Sequence, residues 1–278
     1  MSVDEAGVGP WMVDPDTLAL LRLDKALRAL DADDPDLAMV EAEELLTTRP
    51  RHPEALAIVG RAALQMGDAS TARAALDGLI ADGADDAITA LLHSQACFGT
   101  ADLEGAVASA RHATELQPDM AAAWFQQALA LDRLGRPGPA ALAWQRAAAL
   151  DSERFGLPDQ VDDSVWAACL ETALAALPAT ARPFYRKVPI LWSMFPSLAA
   201  LRAETPPLSP LLDAMYCGTP PMDMEERQRT LPETVTLFRG NLVLPTGNPA
   251  ALAHRIHAAL VHEAHDWLGI PPPSPDDD

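Results

Sequence analysis

The chain is poor in aromatic residues. Six Trp, six Phe and two Tyr make up 5% of its 278 positions. A core made of stacked rings is therefore excluded. Hydrophobic residues still reach 49%, and alanine and leucine dominate them, which favours helices packed through small side chains. There are only three cysteines, Cys97, Cys169 and Cys217. They are scattered, odd in number and lack any CxxC spacing. That excludes a disulfide framework and leads us to expect a reducing compartment, the cytoplasm. Basic residues are scarce as well: 20 Lys and Arg face 40 Asp and Glu, for a net charge of −20. Both halves share the deficit, with 12 against 25 in residues 1–154 and 8 against 15 in residues 155–278. A phosphate-backbone partner is not expected, and a basic peptide fits better.

Other signals are missing too. No run of eighteen apolar residues exists, so no membrane span is expected. The acidic start "MSVDEAGVGPWMVDPDT" lacks the apolar stretch of a secretory signal. There is no Gly-rich phosphate loop, no GxSxG elbow and no carboxylate pair with acid–base spacing.

What is present is a repeat. Residues 19–52, 53–86, 87–120 and 121–154 align without a gap at a period of 34. The eighth position is always small: Ala26, Gly60, Ser94 and Ala128. The twentieth is always alanine: Ala38, Ala72, Ala106 and Ala140. Seven further on come Leu45, Leu79, Ala113 and Ala147. Turn residues fall at positions fifteen and sixteen: Asp33-Asp34, Gly67-Asp68, Ala101-Asp102 and Gly135-Arg136. The pattern predicts two antiparallel helices per unit, brought close by the small residues. One such unit cannot bury its apolar face, so units must stack.

This pattern resembles a tetratricopeptide repeat array over residues 19–154. The fourth unit fits best, with Trp124, Leu131, Gly135, Ala140, Trp144 and Ala147. The resemblance implies an α-solenoid that holds a protein or peptide on the face formed by the first helix of each unit. Here that face is expected to carry Arg61, Gln65, Gln95, Phe98, Phe125, Leu129 and Arg133. Residues 1–18 are read as an N-terminal tail.

After Asp151 the repeat stops. "SERFGLPDQVDD" reads as a junction, broken by Gly156 and Pro158. A helix is expected over 164–177, a strand over 187–196, and a long proline-rich loop with one short helix over 197–232. A second strand follows over 233–244, then a last helix over 249–268 capped by Asn248. The phrases "LLDAMYCGTPP" (211–221), "LPETVTLFRGNLV" (231–243) and "VHEAHDWLGI" (261–270) resemble those of minimal matrix-metalloprotease-like, zincin-like metallopeptidases. The resemblance spans residues 160–270 and implies a small α/β domain backing a zinc-binding helix.

That family's motif is HExxHxxG. Two histidines four apart differ by about 40° in azimuth, so both rings can reach one zinc. The glutamate takes a proton from zinc-bound water. Aligned to the motif, His262 takes the first ligand position, Glu263 the base and Gly269 the turn. Asp266 stands at the second ligand position and Pro272, which has no donor, at the third. His265 is the nearest substitute ligand. His254 and His257 lie further back on the same helix, and Asp276, Asp277 and Asp278 stand in an acidic tail, 271–278, expected to be disordered. The expectation is a protein- or peptide-binding scaffold fused to a degenerate HExxD domain, weakly active or inactive (a pseudoenzyme), with zinc in doubt. The alternative is an active zinc peptidase whose repeats select the substrate.

Overall fold

The computed structural model describes residues 14–244 and 248–270. The acidic tail, Pro272 and most of the N-terminal tail lie outside them. The chain divides into two compact units, residues 1–140 and 141–278. The division falls inside a helix of the fourth repeat.

The first unit is a series of helix pairs: α1 (Pro15–Asp31) with α2 (Pro35–Thr48), α3 (Pro53–Gln65) with α4 (Ala69–Ala81), and α5 (Ala87–Gly99) with α6 (Leu103–Leu116). Then comes α7 (Ala121–Arg133), and α8 (Pro137–Leu150) runs across the division. Within the unit each helix packs on the next, and the first helices of successive pairs also touch one another. The repeat positions explain the geometry. Ala26, Ala38, Ala72, Ser94, Ala106, Ala128 and Ala140 are all fully buried. A β-carbon added to Gly60 would lie 2.8 Å from Leu76 Cγ, so the α3–α4 approach needs glycine or a shift of that leucine. Ser94 fits the same position by donating its hydroxyl to Ala106 O at 2.6 Å.

Position fifteen adopts the left-handed conformation in all four repeats: φ is 58° at Asp33, 80° at Gly67, 56° at Ala101 and 69° at Gly135. Asp34, Asp68 and Asp102 follow as N-caps, accepting from Leu37 N, Thr71 N and Gly105 N at 3.0–3.1 Å. Asp68 also accepts the Thr71 hydroxyl at 2.6 Å, and these bonds hold its carboxyl below the usual range. Asp68→Ala should therefore cost about 1 kcal/mol. The loss should shrink as pH falls below the ordinary carboxylate range, because a lowered pKa stabilises only the ionised form. Thermal melts of both forms at pH 7 and pH 3 check this. A loss unchanged at pH 3 would remove the charge from the account.

The second unit pairs α9 (Asp163–Ala176) with α14 (Pro249–Leu268). Between them in sequence lie α10 (Arg182–Tyr185), β1 (Ile190–Ser193), α11 (Leu198–Leu201), β2 (Ala214–Cys217), α12 (Met224–Arg229), β3 (Thr234–Phe238) and α13 (Arg239–Leu242). The sheet order is β1-β3-β2, with β1 parallel and β2 antiparallel to β3. Val235 and Leu237 of β3 are fully buried, as are Leu252, Ile256 and Leu260 of α14.

Three sequence expectations need correction. The segment 197–232 is not a loop around one helix: it contains α11, β2 and α12. The strand expected over 233–244 ends at Phe238, where the chain turns into α13. The strand expected over 187–196 shortens to four residues.

Candidate functional site

The motif helix α14 is well delimited. Asn248 accepts from Ala251 N at 2.9 Å, Pro249 opens the first turn, and Gly269 closes the helix at φ 65°. Its buried stripe runs Leu252, Ile256, Leu260, Glu263, Trp267, the three- and four-residue spacing of an inward face. Glu263 therefore points inward. It is 7% exposed, and its Oε2 accepts the Tyr216 N–H of β2 at 2.8 Å. Burial raises its pKa, opposed by that hydrogen bond and by His262.

Tyr216 clasps the helix twice. Its hydroxyl donates to Asp266 Oδ2 at 2.7 Å, and its ring meets Trp267 edge to face at 5.2 Å. Burial, then the Asp266 carboxylate, raises the phenol's pKa. Trp267 donates Nε1–H to Thr230 O at 3.0 Å. Tyr185 donates its hydroxyl to Leu260 O at 2.7 Å. Arg255 reaches Leu244 O at 2.8 Å and Asp213 Oδ1 at 2.7 Å. These side chains tie the helix to the segments around β2 and β3.

The donors that the sequence singles out are dispersed by this arrangement. His262 is exposed. His265 turns to the Thr180 hydroxyl at 3.2 Å. His254 and His257 stack on each other, 6.5 Å between centroids. Among the described residues no group of three or more His, Cys, Asp and Glu side chains is arranged to hold a metal. A catalytic zinc needs three protein ligands and a water. His262 and Asp266 are two, and Asp266 is already engaged by Tyr216. The described residues do not fit that site.

On the repeats, Arg61 and Gln65 are exposed, and Gln95, Phe125 and Arg133 are half-buried. Phe98 is buried, 4% exposed, with the Arg133 guanidinium 5.3 Å above its ring. Arg133 donates to Leu129 O at 2.9 Å, and burial lowers its pKa to about 10. Leu129 is buried too. Phe98 and Leu129 are therefore packing residues rather than an open face. Leu20, Leu27 and Ile88, which the sequence does not single out, are 67%, 48% and 63% exposed. They occupy the second and ninth positions of the 34-residue repeat, the positions of Glu54 and Arg61 in the second repeat, so the repeat register is the signal for them.

Residues 185–276 match the family model described as zincin-like metallopeptidase. The chain therefore joins tetratricopeptide-like helix pairs to a C-terminal zincin-like domain. No curated protein matches it. Among solved structures, a crystal structure of MamA protein shares 18% identity at a TM-score of 0.46, over 49% of this chain and 75% of that one. MamA from Desulfovibrio magneticus RS-1 shares 21% at 0.45, over 50% and 77%. A thermophilic TPR protein of Thermus thermophilus shares 22% at 0.43, over 48% and 75%. Among the described residues, no helix is long and apolar enough to cross a membrane.

Proposed function

We propose that this chain is a protein- or peptide-binding repeat scaffold whose zincin-like domain does not hydrolyse peptides. The observation that carries the reading is the double engagement of the motif by Tyr216: Glu263 accepts its N–H and Asp266 its hydroxyl. A general base must reach the proton that it takes, and Glu263 faces the core. The repeats supply the binding surface, through Arg61, Gln65, Gln95 and Phe125 with the exposed Leu20, Leu27 and Ile88. The net charge of −20 favours a protein over a nucleic acid as partner. The three cysteines are free, which supports a reducing compartment, the cytoplasm.

Zinc counting tests the reading. Untagged protein dialysed against excess zinc should retain well below one ion per chain, and His262→Ala should change nothing. One zinc per chain, lost in His262→Ala together with peptide cleavage abolished by Glu263→Ala, would establish the active peptidase instead.

A further inference from the structure

A second polar cluster lies in the first unit, among α4, α5 and α6. His93 of α5 stands between two partners. Its Nδ1 is 2.7 Å from Ser109 Oγ of α6, and its Nε2 is 2.8 Å from Asp77 Oδ1 of α4. A cavity of about 300 Å³ opens beside them, lined by both His93 and Ser109. We propose that Ser109 is an activated serine nucleophile, served by His93 and Asp77, for small neutral or cationic carboxylic esters that enter this cavity.

The geometry meets the general requirement for such a group: a nucleophile in hydrogen-bond reach of a base, and the base oriented by a third residue. With Asp77 accepting Nε2–H, the tautomer is fixed and Nδ1 is left as the acceptor for the Ser109 proton. Asp77 is itself faced by Arg73 Nε at 3.8 Å, and Arg73 is anchored on Asp102 at 2.7 Å. Hydroxyls in helices commonly bond a carbonyl three or four residues back, as Thr100 and Thr114 do here. Among the described residues Ser109 instead has His93 as its hydroxyl partner. Cys97 is the poorer nucleophile. It lies 3.7 Å from both ring nitrogens, beyond the reach at which Ser109 meets Nδ1, and burial raises its thiol to about 11.

The cavity sets the substrate class. Its size suits a small molecule. Ile80, Ala84 and Ala90 make its floor apolar, while Asp85 and Asp86 repel an anionic ester. His112, one turn beyond Ser109 and held by Asp85 at 2.5 Å, also lines the cavity. In the reaction Ser109 Oγ bonds to the carbonyl carbon as its proton passes to His93 Nδ1. The bond to the leaving alcohol breaks and that alcohol takes the proton. Water then repeats the sequence on the acyl-serine, which releases the carboxylic acid and restores Ser109.

The test treats the full chain with p-nitrophenyl acetate and, separately, with an alkyl fluorophosphonate, mapping adducts by mass spectrometry. One adduct per chain on Ser109 is expected, with a matching burst of p-nitrophenolate. Ser109→Ala should abolish both. His93→Gln should slow acylation by roughly 100-fold, and Asp77→Asn, which preserves shape, should slow it as well. An ester with an anionic acyl group should react more slowly than the acetate. Circular dichroism of Ser109→Ala and Asp77→Asn should match the parent, since neither removes packing. Absence of an adduct on Ser109, or unchanged acylation in Ser109→Ala or in folded Asp77→Asn, overturns the proposal.

Discussion

Gly240→Ala is expected to destabilise the C-terminal unit by about 3 kcal/mol, at the upper end of what overpacking costs. The new β-carbon would lie 2.3 Å from Phe195 Cε1 and 2.7 Å from Met194 O. The phenyl ring can turn away, but the carbonyl cannot easily follow. It accepts the Gly240 N–H itself at 2.8 Å, so the glycine and the obstacle are tied together. The next residue is fixed as well. Asn241 is 1% exposed and donates Nδ2–H to Pro210 O at 2.9 Å and Leu212 O at 2.6 Å. Backbone relief at Gly240 would therefore disturb both the end of β1 and the segment leading into β2. Urea unfolding read by tryptophan fluorescence measures the effect, Trp166, Trp192 and Trp267 all lying in this unit. An unchanged midpoint would mean that residues 194 and 195 move freely, and the argument from the tie would fail.

The repeats were legible because each structural demand recurs every 34 residues. The left-handed position was visible as Asp33, Gly67, Ala101 and Gly135, although alanine alone would not have announced it. Its neighbours were read only as turn residues, and the structure shows three of them, Asp34, Asp68 and Asp102, to be caps that accept from free helix N–H groups. In the C-terminal unit the two long helices were legible for the same local reasons, above all the Asn248-Pro249 start and the Gly269 stop. The strand β2 was not. "AMYC" sits between Pro210 and Pro220, and four residues carry too little alternation to outweigh prolines on both sides. Its pairing with β3 is a tertiary fact. The end of β3 was hidden likewise, since Leu242, Val243 and Leu244 resume the apolar pattern just beyond Arg239-Gly240-Asn241, and the close approach of Met194 and Phe195 to Gly240 is a tertiary fact. At the site, composition gave the residues and the helix gave their azimuth. Counting back from Trp267 to Leu260 and Ile256 places Glu263 on the inward stripe. What no local pattern could supply was Tyr216, forty-seven residues earlier than Glu263, because its role depends on β2 being a strand.

The second large effect falls on Glu263, and two substitutions separate what its carboxylate does. Glu263→Ala leaves the half-buried Tyr216 N–H without its acceptor, which should cost about 1–3 kcal/mol. Glu263→Gln keeps an amide oxygen for that N–H and removes the charge. Burial raises the glutamate above its ordinary 4.5, so the folded state favours the protonated form. A raised folded value gives a stabilising contribution that is complete below the ordinary glutamate range and is lost as pH rises through the folded value. The parent and Glu263→Gln should therefore match at acid pH. Toward neutral pH the parent should fall behind, as its buried carboxylate ionises at a desolvation cost that glutamine does not bear. Chemical denaturation at pH 4 and pH 7 measures both variants. If Glu263→Gln at pH 7 loses as much as Glu263→Ala, the ionised carboxylate is itself a net stabilising group, and the claim that burial dominates its energetics is wrong. If the glutamine gains as expected, Glu263 is held in place by the Tyr216 backbone at the expense of its charge. A residue so held serves the docking of α14 on β2, and it would reach a solvent-side proton only if the helix left the strand.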